Sequence, residues 1–354
     1  MLTRLYNMDY LRGLATFGIM ISHYLNWTFG KFSADTLTYR FGICIVSVFY
    51  ILSGLTLYYV YYDKMIPSKD DILAYYRKRV FRIFPLLWIV TIIALVLSKQ
   101  MPDFYNLFLN LSGLFGFIKW DTYFSSGVWA IGNELVFYTL FPFFILFTKS
   151  HKSLMILLVL ISFCLYLYFS FILLKQELTL SDQWRNFVNP LNHIFLFLGG
   201  FLIGLFLFNT TIKNSIIITI LTIGLSLIIF YPVKGDAIYL VTGVNRLIFT
   251  ACSFLICISF YKMTFTLPKF IHKPLTLLGE ASYSVYLLHP IVYSVTGITL
   301  AFSSKHLFHS SEPVRIIISV ISTLIISYFV FQYFEKFFIN LGRTKMNSTI
   351  CCKR

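Results

Sequence analysis

Ten long apolar runs limit what this chain can fold into more than any other feature. A helix needs about 20 apolar residues to cross a bilayer core of about 30 Å. Helices satisfy their own backbone hydrogen bonds in hydrocarbon, and no run alternates as the strands of a membrane barrel do. The sequence therefore predicts an all-α, polytopic helix bundle of about ten transmembrane helices. The runs fall at about 11–29, 41–61, 83–98, 127–147, 154–174, 190–208, 214–232, 238–260, 275–300 and 314–338.

The composition excludes a soluble protein. Of 354 residues, 58% are hydrophobic and only 12% are charged, whereas about a quarter of the residues in soluble domains are charged. So few charged residues cannot cover a folded chain of this size, and the lipid bilayer must cover much of its surface. The net charge of +15 is explained by Lys and Arg concentrated on cytoplasmic loops, and we expect no nucleic-acid partner.

The distribution of cations predicts the orientation of the bundle. With an even number of spans both termini lie on one side, and a cytoplasmic N-terminus puts most Lys and Arg in the cytoplasm. We therefore expect a multi-pass protein of the cell (inner, cytoplasmic) membrane with both termini inside. Asp9 and Arg12 interrupt the start of the first run, so we expect it to be a retained span and not a cleaved signal peptide.

The chain is predicted to form one membrane domain. Residues 1–340 make up the transmembrane domain and residues 341–354 a short basic cytoplasmic tail. The weaker apolar stretch 104–118 contains polar and glycine residues, which favours an interfacial or re-entrant segment.

The cysteines show no metal-binding spacing, and we interpret them as free thiols or apolar filler. They are Cys44, Cys164, Cys252, Cys257, Cys351 and Cys352.

Ionisable residues inside the predicted spans are candidates for function, because a charge at the bilayer centre costs about 2.5–3.5 kcal/mol on insertion scales. Each also has a structural interpretation. Arg12 can reach back to the inner interface, His23 can hydrogen-bond a neighbouring helix, and Glu134 can pair with Arg246. The candidates are Arg12, His23, Glu134, His193, Arg246, His289 and Glu335.

The depths of these residues predict a shared site. Arg12 and His23 are eleven residues apart, which puts them on one helix stripe about 16.5 Å apart. Counting along each run puts His23, Glu134, Arg246 and His289 in one layer below the outer edge of the bilayer. We expect these four residues to line one cavity, with Glu134 either orienting His23 or pairing with Arg246.

A basic run precedes the third span. Arg77, Arg79 and Arg82 stand just cytoplasmic of it, as the anchoring residues of many membrane proteins do. The functional alternative is a site for the phosphates of a cytoplasmic cofactor, because planar guanidinium groups bind phosphate oxygens two at a time.

Five motifs in order resemble the acyltransferase 3 family of polytopic membrane enzymes, which acylate carbohydrates and other envelope acceptors. They are DYLRGLA at 9–15 followed by His23, FYILSG at 49–54, RVFRIFP at 79–85, WAIGNELVFY at 129–138, and SYSVYLLH at 282–289. The resemblance runs from about residue 7 to 338. It departs from the family pattern at 130–133 (AIGN), where Ser-Leu-Ser is usual, and at Leu135, where a second acidic residue is usual. The extracytoplasmic hydrolase-like domain of some members is absent, so we expect this chain to finish the transfer itself or to hand over to a separate protein.

The resemblance implies an acyl-CoA donor, most often acetyl-CoA, and a hydroxyl acceptor such as a sugar of a lipid-linked or surface glycan. A neutral His23 imidazole can accept a proton from that hydroxyl, or can carry the acyl group if transfer has two steps. A transporter or flippase for a glycan-related or small acidic substrate remains the alternative, since a polytopic bundle with few buried charges also describes carriers. A non-catalytic assembly subunit is a third.

The expected roles divide the candidate residues into three sets, with no metal and no permanently bound cofactor. The catalytic set is His23, Glu134, Arg12 and His289. The acetyl-CoA-binding set is Arg12, Arg77, Arg79 and Arg82. The set expected to contact the other substrate is Arg246, Trp129, Asn133, Ser282 and Tyr283.

Overall fold

A computed structural model describes residues 4–30, 33–66, 68–99, 101–265, 267–304 and 312–343. Within these ranges the chain forms fifteen α-helices and no β-strand, as the all-α prediction requires. The helices are α1 Tyr6–Phe29, α2 Leu37–Tyr61, α3 Lys69–Ser98, α4 Phe104–Ser112, α5 Phe115–Ile118, α6 Val128–Ser150, α7 Lys152–Tyr168, α8 Trp184–Phe187, α9 Pro190–Leu207, α10 Asn214–Phe230, α11 Gly243–Lys262, α12 Lys269–Glu280, α13 Ser282–Ser304, α14 Glu312–Phe329 and α15 Lys336–Gly342.

Eight helical segments of the described chain are long and apolar enough to cross a membrane, which confirms a polytopic helical membrane protein. They are α2, α3, α6, α7 with the π-helical turn Phe169–Leu173, α8 with α9, α11, α13, and α14 with α15 through the π-helical turn Val330–Glu335. The other two predicted spans are helices as well. However, α1 carries Asp9 and Arg12 in its first two turns and α10 has only 17 residues.

Some predicted boundaries are displaced. Helix α3 begins at Lys69, where Ser68 caps it by accepting a hydrogen bond from the Asp71 amide, so the basic run lies inside a helix. The predicted ninth span is divided at Ala281 into α12 and α13. The stretch 104–118 forms the short helices α4 and α5, neither of which can span a bilayer. Helix α15 continues past residue 340 to Gly342, and the predicted tail from 344 onward lies outside the described residues.

Helices α2 and α9 cross with their backbones in contact, and glycine makes this possible. A methyl group on Gly54 of α2 would overlap the carbonyl oxygen of Phe197, and one on Gly200 of α9 would overlap that of Ile51. Small residues at a crossing let membrane helices approach closely without a hydrophobic driving force. This contact fixes the position of Ser53, the residue before Gly54, which faces the cavity described below.

A buried arginine joins α2 to the end of α10. Arg40 is 4% exposed, and its guanidinium donates hydrogen bonds to four backbone carbonyl oxygens at distances of 2.9–3.1 Å. Two of these carbonyls, Ile228 and Ile229, are among the last of α10, which have no partner inside the helix. Arg40 therefore has a structural role. The four acceptors are Ala34, Ile228, Ile229 and Val233.

The crossing of α2 and α9 gives the first prediction. Gly54→Ala should lower the free energy of unfolding by about 1–3 kcal/mol, because the added methyl has no space and the helices must separate. Gly224→Ala is the matched control, since a methyl there would lie 3.4 Å from its nearest neighbour, at ordinary contact distance. The measurement is the thermal unfolding midpoint of both purified variants in the same detergent. A Gly54→Ala midpoint equal to that of Gly224→Ala would contradict the packing described.

Candidate active site

A cavity of about 110 Å³ lies between α1, α2, α3, α6 and α13. Its lining contains many polar residues, and polar or ionisable residues in the interior of a membrane bundle often mark a functional site. The polar lining residues are Arg12, Tyr50, Ser53, Thr56, Arg79, Arg82, Glu134, Tyr138, Ser282, Tyr283 and Tyr286. Three cations and one carboxylate from three separate helices thus meet in one space.

The three cations of the cavity all belong to the predicted acetyl-CoA-binding set. Arg12 donates from Nη2 to Thr56 Oγ1 at 2.8 Å, and its Nη1 lies 3.9 Å from Asp9 Oδ1. No carboxylate of the described residues lies within 4.0 Å of the charged nitrogens of Arg79 or Arg82. These two guanidinium groups can therefore accept an anionic ligand without first breaking an ion pair.

Arg79 is held by aromatic rings. Its guanidinium lies 5.4–5.6 Å from the ring centroids of Tyr61, Tyr75 and Tyr138, a favourable arrangement for a cation. Its Nη2 donates to Tyr61 Oη at 3.2 Å, while its Nε is buried with no hydrogen-bond partner in the described chain. Tyrosines thus hold the side chain in place and leave part of its donor capacity unused.

Arg77 does not join this group. Its Nη2 donates to the carbonyl oxygen of Leu341 at 3.4 Å, on the helix α15, and its guanidinium lies against Phe81. Successive helical residues are about 100° apart, so Arg79 and Arg82 share a face while Arg77 projects from another. The structure therefore does not bring Arg77 to the cavity with the other predicted donor-binding residues.

Glu134 is at the end of a directed chain of hydrogen bonds. Its Oε2 accepts from Tyr138 Oη at 2.9 Å, one turn further along α6. Tyr138 Oη also lies 3.0 Å from Ser53 Oγ. Because Tyr138 uses its hydroxyl hydrogen in the bond to Glu134, Ser53 must be the donor in its bond to Tyr138 Oη. The chain Ser53–Tyr138–Glu134 thus fixes the position of the carboxylate between α2 and α6.

His23 and His289 are in direct contact. His23 Nδ1 lies 2.8 Å from His289 Nε2, and His289 Nδ1 lies 3.2 Å from the carbonyl oxygen of Val285. A carbonyl oxygen can only accept, so His289 Nδ1 carries a proton, and in the neutral ring its Nε2 is an acceptor. His23 therefore donates from Nδ1, and its own Nε2 keeps a lone pair. This assignment gives His23 the tautomer of a general base.

The two histidines differ in exposure. His289 is fully buried, whereas His23 is only half-buried. Trp27 covers both rings, with centroid distances of 5.2 Å to His23 and 5.8 Å to His289. Tyr24 Oη donates to the carbonyl oxygen of His289 at 3.0 Å. His289 is thus the fixed member of the pair, and His23 is the member that a reactant can reach. Helix α13 continues through the following Pro290 without a break.

The histidine pair adjoins the cavity at the end away from Arg12. Ile19, one turn before His23 on α1, lines the cavity, as does Tyr286, whose ring lies 5.9 Å from that of His289. Arg12 and His23 both lie on α1, eleven residues and about 16.5 Å apart along its axis. Neither histidine is among the lining residues, so the cavity has a cationic end, and what we call its histidine end is the end that lies next to the pair.

Of His23, Glu134, Arg246 and His289, only Glu134 lines the main cavity, so the prediction that all four line one cavity is wrong. Arg246 also does not pair with Glu134. Its Nη2 donates to the backbone oxygen and Oδ1 of Asn192 at 3.0 and 2.6 Å, and its guanidinium lies 4.5 Å from the ring centroid of Tyr166. It lines a second, smaller cavity with His193. Equal depth in the membrane does not determine the direction in which a helix presents its side chains, and α11 turns Arg246 toward α9 and α7.

Only some of the residues expected to contact the second substrate line the main cavity. Ser282 and Tyr283 line the main cavity. Trp129 instead packs against Trp184, Phe187 and His193. Asn133 donates to Tyr50 Oη at 3.1 Å. Helix α6 presents Ala130, Ile131, Glu134 and Tyr138 to the cavity, and a displacement of one residue, about 100°, moves Trp129 and Asn133 to the next face.

Several cavity residues were not among the predicted site residues. Tyr50, Thr56 and Tyr286 are polar groups without charge, and the sequence gives them no special signal in an aromatic-rich chain. Tyr138 could have been found, because it stands one helical turn after Glu134.

Glu335, an intramembrane candidate, accepts a hydrogen bond from Ser284 of the 282–289 motif and does not line the cavity. It lies at the end of the π-helical turn Val330–Glu335.

The chain matches a known protein family. A sequence model of the acyltransferase 3 family, described as an acyltransferase domain, matches residues 5–332. Neither the curated proteins nor the solved structures contain a significant match to the chain. The match covers the whole cavity and the histidine pair.

The tautomer assignment gives the second prediction. In wild-type protein labelled with ¹⁵N-histidine, the side-chain shifts should show His23 protonated at Nδ1 and unprotonated at Nε2. His289→Gln should preserve this pattern, because the glutamine oxygen can replace the Nε2 acceptor, whereas His289→Leu should move the proton toward Nε2. His23→Gln assigns the signals, and His151→Gln, at an exposed position, is the control. A wild-type His23 protonated at Nε2 would refute the assignment.

Proposed function

Because the chain belongs to the acyltransferase 3 family, we propose that this multi-pass acyltransferase is an O-acetyltransferase. It moves an acetyl group from cytoplasmic acetyl-CoA to a sugar hydroxyl of a surface polysaccharide or its lipid-linked precursor, in the cytoplasmic membrane. The observation that carries the proposal is the hydrogen-bonded contact of His23 Nδ1 with His289 Nε2, from which the His23 tautomer follows. A half-buried imidazole with a free Nε2, held by a buried histidine, adjoins a cavity whose other end carries three arginines.

The cationic end suits the donor. Coenzyme A carries phosphates, and Arg12, Arg79 and Arg82 present guanidinium groups that bind phosphate oxygens. With the phosphates at that end, the pantetheine arm extends along the stripe of α1 toward His23. The separation of about 16.5 Å along the helix is comparable to the length of that arm. The thioester then reaches the histidine end while the nucleotide stays at the cytoplasmic mouth.

The histidine end suits the reaction. His23 Nε2 takes the proton of the acceptor hydroxyl as its oxygen attacks the thioester carbonyl carbon. The carbon–sulfur bond breaks, the coenzyme leaves as a thiolate, and the imidazolium returns the proton to sulfur. His289 is a positioning residue in this step, because its Nε2 accepts the hydrogen bond that His23 donates from Nδ1, which leaves Nε2 of His23 free. Transfer through an acyl group carried on His23 would use the same nitrogen as nucleophile.

The surroundings of the histidine pair suit a sugar. Trp27 is 37% exposed and stacks beside both imidazoles near the end of α1. An aromatic face next to a few polar groups is typical of small-molecule sites, and the apolar face of a pyranose can pack against it. Acceptor and donor thus approach His23 from opposite ends of α1.

The proposal is tested in proteoliposomes that contain the purified protein, radiolabelled acetyl-CoA and a candidate glycan. Label should appear on the glycan, and His23→Ala should reduce this labelling at least about 100-fold, since a general base contributes about 10²–10⁴-fold. Binding of acetyl-CoA and the unfolding midpoint should stay near wild type in this variant. Glycan movement across the membrane without labelling would show a carrier and contradict the proposal, as would full activity of His23→Ala.

The donor site gives a further prediction. Arg79→Gln with Arg82→Gln should raise the apparent KM for acetyl-CoA about tenfold or more, because each charge-assisted hydrogen bond contributes about 1.5–3 kcal/mol. The KM for the glycan should change little. Arg77→Gln is the matched control, since this arginine is on the same helix but points to α15. Equal changes in both KM values, or an equal effect of Arg77→Gln, would refute the donor site.

A further inference from the structure

Arg246 has no counter-charge among the described residues. The residue is 5% exposed, and its two hydrogen bonds to Asn192 both use Nη2. Nη1 is buried with no hydrogen-bond partner in the described part of the chain. No described carboxylate lies within 4.0 Å of its guanidinium. The Tyr166 ring and the neutral oxygens of Asn192 are the partners of this guanidinium. A buried charge without a counter-charge is unfavourable, so an anion beside Arg246 would stabilise it.

Arg246 lines a cavity that can hold one. The cavity has a volume of about 20 Å³, enough for a single water-sized or halide-sized particle. A glycan or a coenzyme phosphate is far too large for it. Ser47 and Thr250 contribute hydroxyl groups to its wall, and no Asp or Glu lines it. Val46 lines both this cavity and the main one, so the two are neighbours.

The backbone adds to the positive potential. Arg246 is the fourth residue of α11, and Thr242, which precedes the helix, makes no side-chain cap. The first turn of a helix carries a partial positive charge and unpaired amide groups. A nearby protein acceptor is already in use, because the carbonyl oxygen of Phe187, another wall residue, bonds to His193 Nε2 and Asn192 Nδ2 at 2.8 and 2.7 Å.

We propose that this cavity binds one small monovalent anion of halide size, which neutralises Arg246 and joins α11 to α9 and α2. The size of the cavity selects a monatomic anion, and the guanidinium and the helix terminus select negative charge. The inference is independent of the proposed acyl transfer, because neither His23 nor the arginines of the main cavity line this one.

The experiment compares sodium chloride, sodium bromide and sodium gluconate at equal ionic strength, with the purified full-length protein in detergent. The thermal unfolding midpoint should rise saturably with chloride or bromide and should not rise with gluconate, as expected when a ligand binds only the folded state. Arg246→Met should abolish this halide dependence. Arg185→Gln, the matched control at an arginine whose side chain is 68% exposed, should keep it.

Equal wild-type midpoints in all three salts would overturn the proposal and indicate that the cavity holds water. An unchanged halide response in Arg246→Met would overturn it as well. If Arg246→Met does not fold, crystals of the wild-type protein grown in bromide decide the question. An anomalous scattering peak beside Arg246 Nη1 would support the anion site, and a bromide-containing crystal without such a peak would refute it.

Discussion

The hydrogen bond between His23 and His289 is the interaction on which the proposed chemistry depends. It joins α1 to α13 and determines which nitrogen of His23 carries the proton. His289 can do this because its own Nδ1 is committed to the carbonyl oxygen of Val285 and its ring is fully buried. A base needs a free lone pair in a fixed direction, and the buried histidine supplies both conditions. The contact between the two helices thus determines which nitrogen of His23, the group proposed to react, has a free lone pair.

The rest of the bundle arranges charge around this bond. The glycine contact between α2 and α9 holds Ser53 against Tyr138, and Tyr138 in turn orients Glu134. Arg79 and Arg82 on α3, together with Arg12 on α1, keep the cations at the opposite end of the cavity. In the proposed reaction the roles are separated along one helix stripe: the anionic parts of the donor bind at one end, and the acyl group is transferred at the other. A soluble enzyme can gather these groups around a surface cleft, but here the bilayer requires an internal path.

The sequence predicted the helical class and placed helices at all ten apolar runs, because hydropathy and helix length are properties of the chain alone. It also placed Arg12 and His23 on one stripe, since both belong to a single helix. It failed where the rotation of one helix against its neighbours decides the contact. Arg246 lies inside a helix of the bundle as expected, but its side chain faces Asn192 and Tyr166 and not the main cavity. Trp129 lies outside the cavity that its neighbour Ala130 lines. Depth can be counted from a sequence, whereas the direction of a side chain depends on packing between helices far apart in the chain.

In the proposed function, the donor lies along α1 with its phosphates at the arginine end and its acyl group at His23. Photocrosslinking tests it most directly, with two acetyl-CoA analogues that carry the reactive group either on the acyl chain or on the adenine. Peptide mapping by mass spectrometry should place acyl crosslinks on α1 or α13 near Ile19, His23 and Tyr286, and adenine crosslinks on α3 or the N-terminal end of α1. Crosslinks of both analogues to the same segment, or acyl crosslinks around Arg246, would contradict the account.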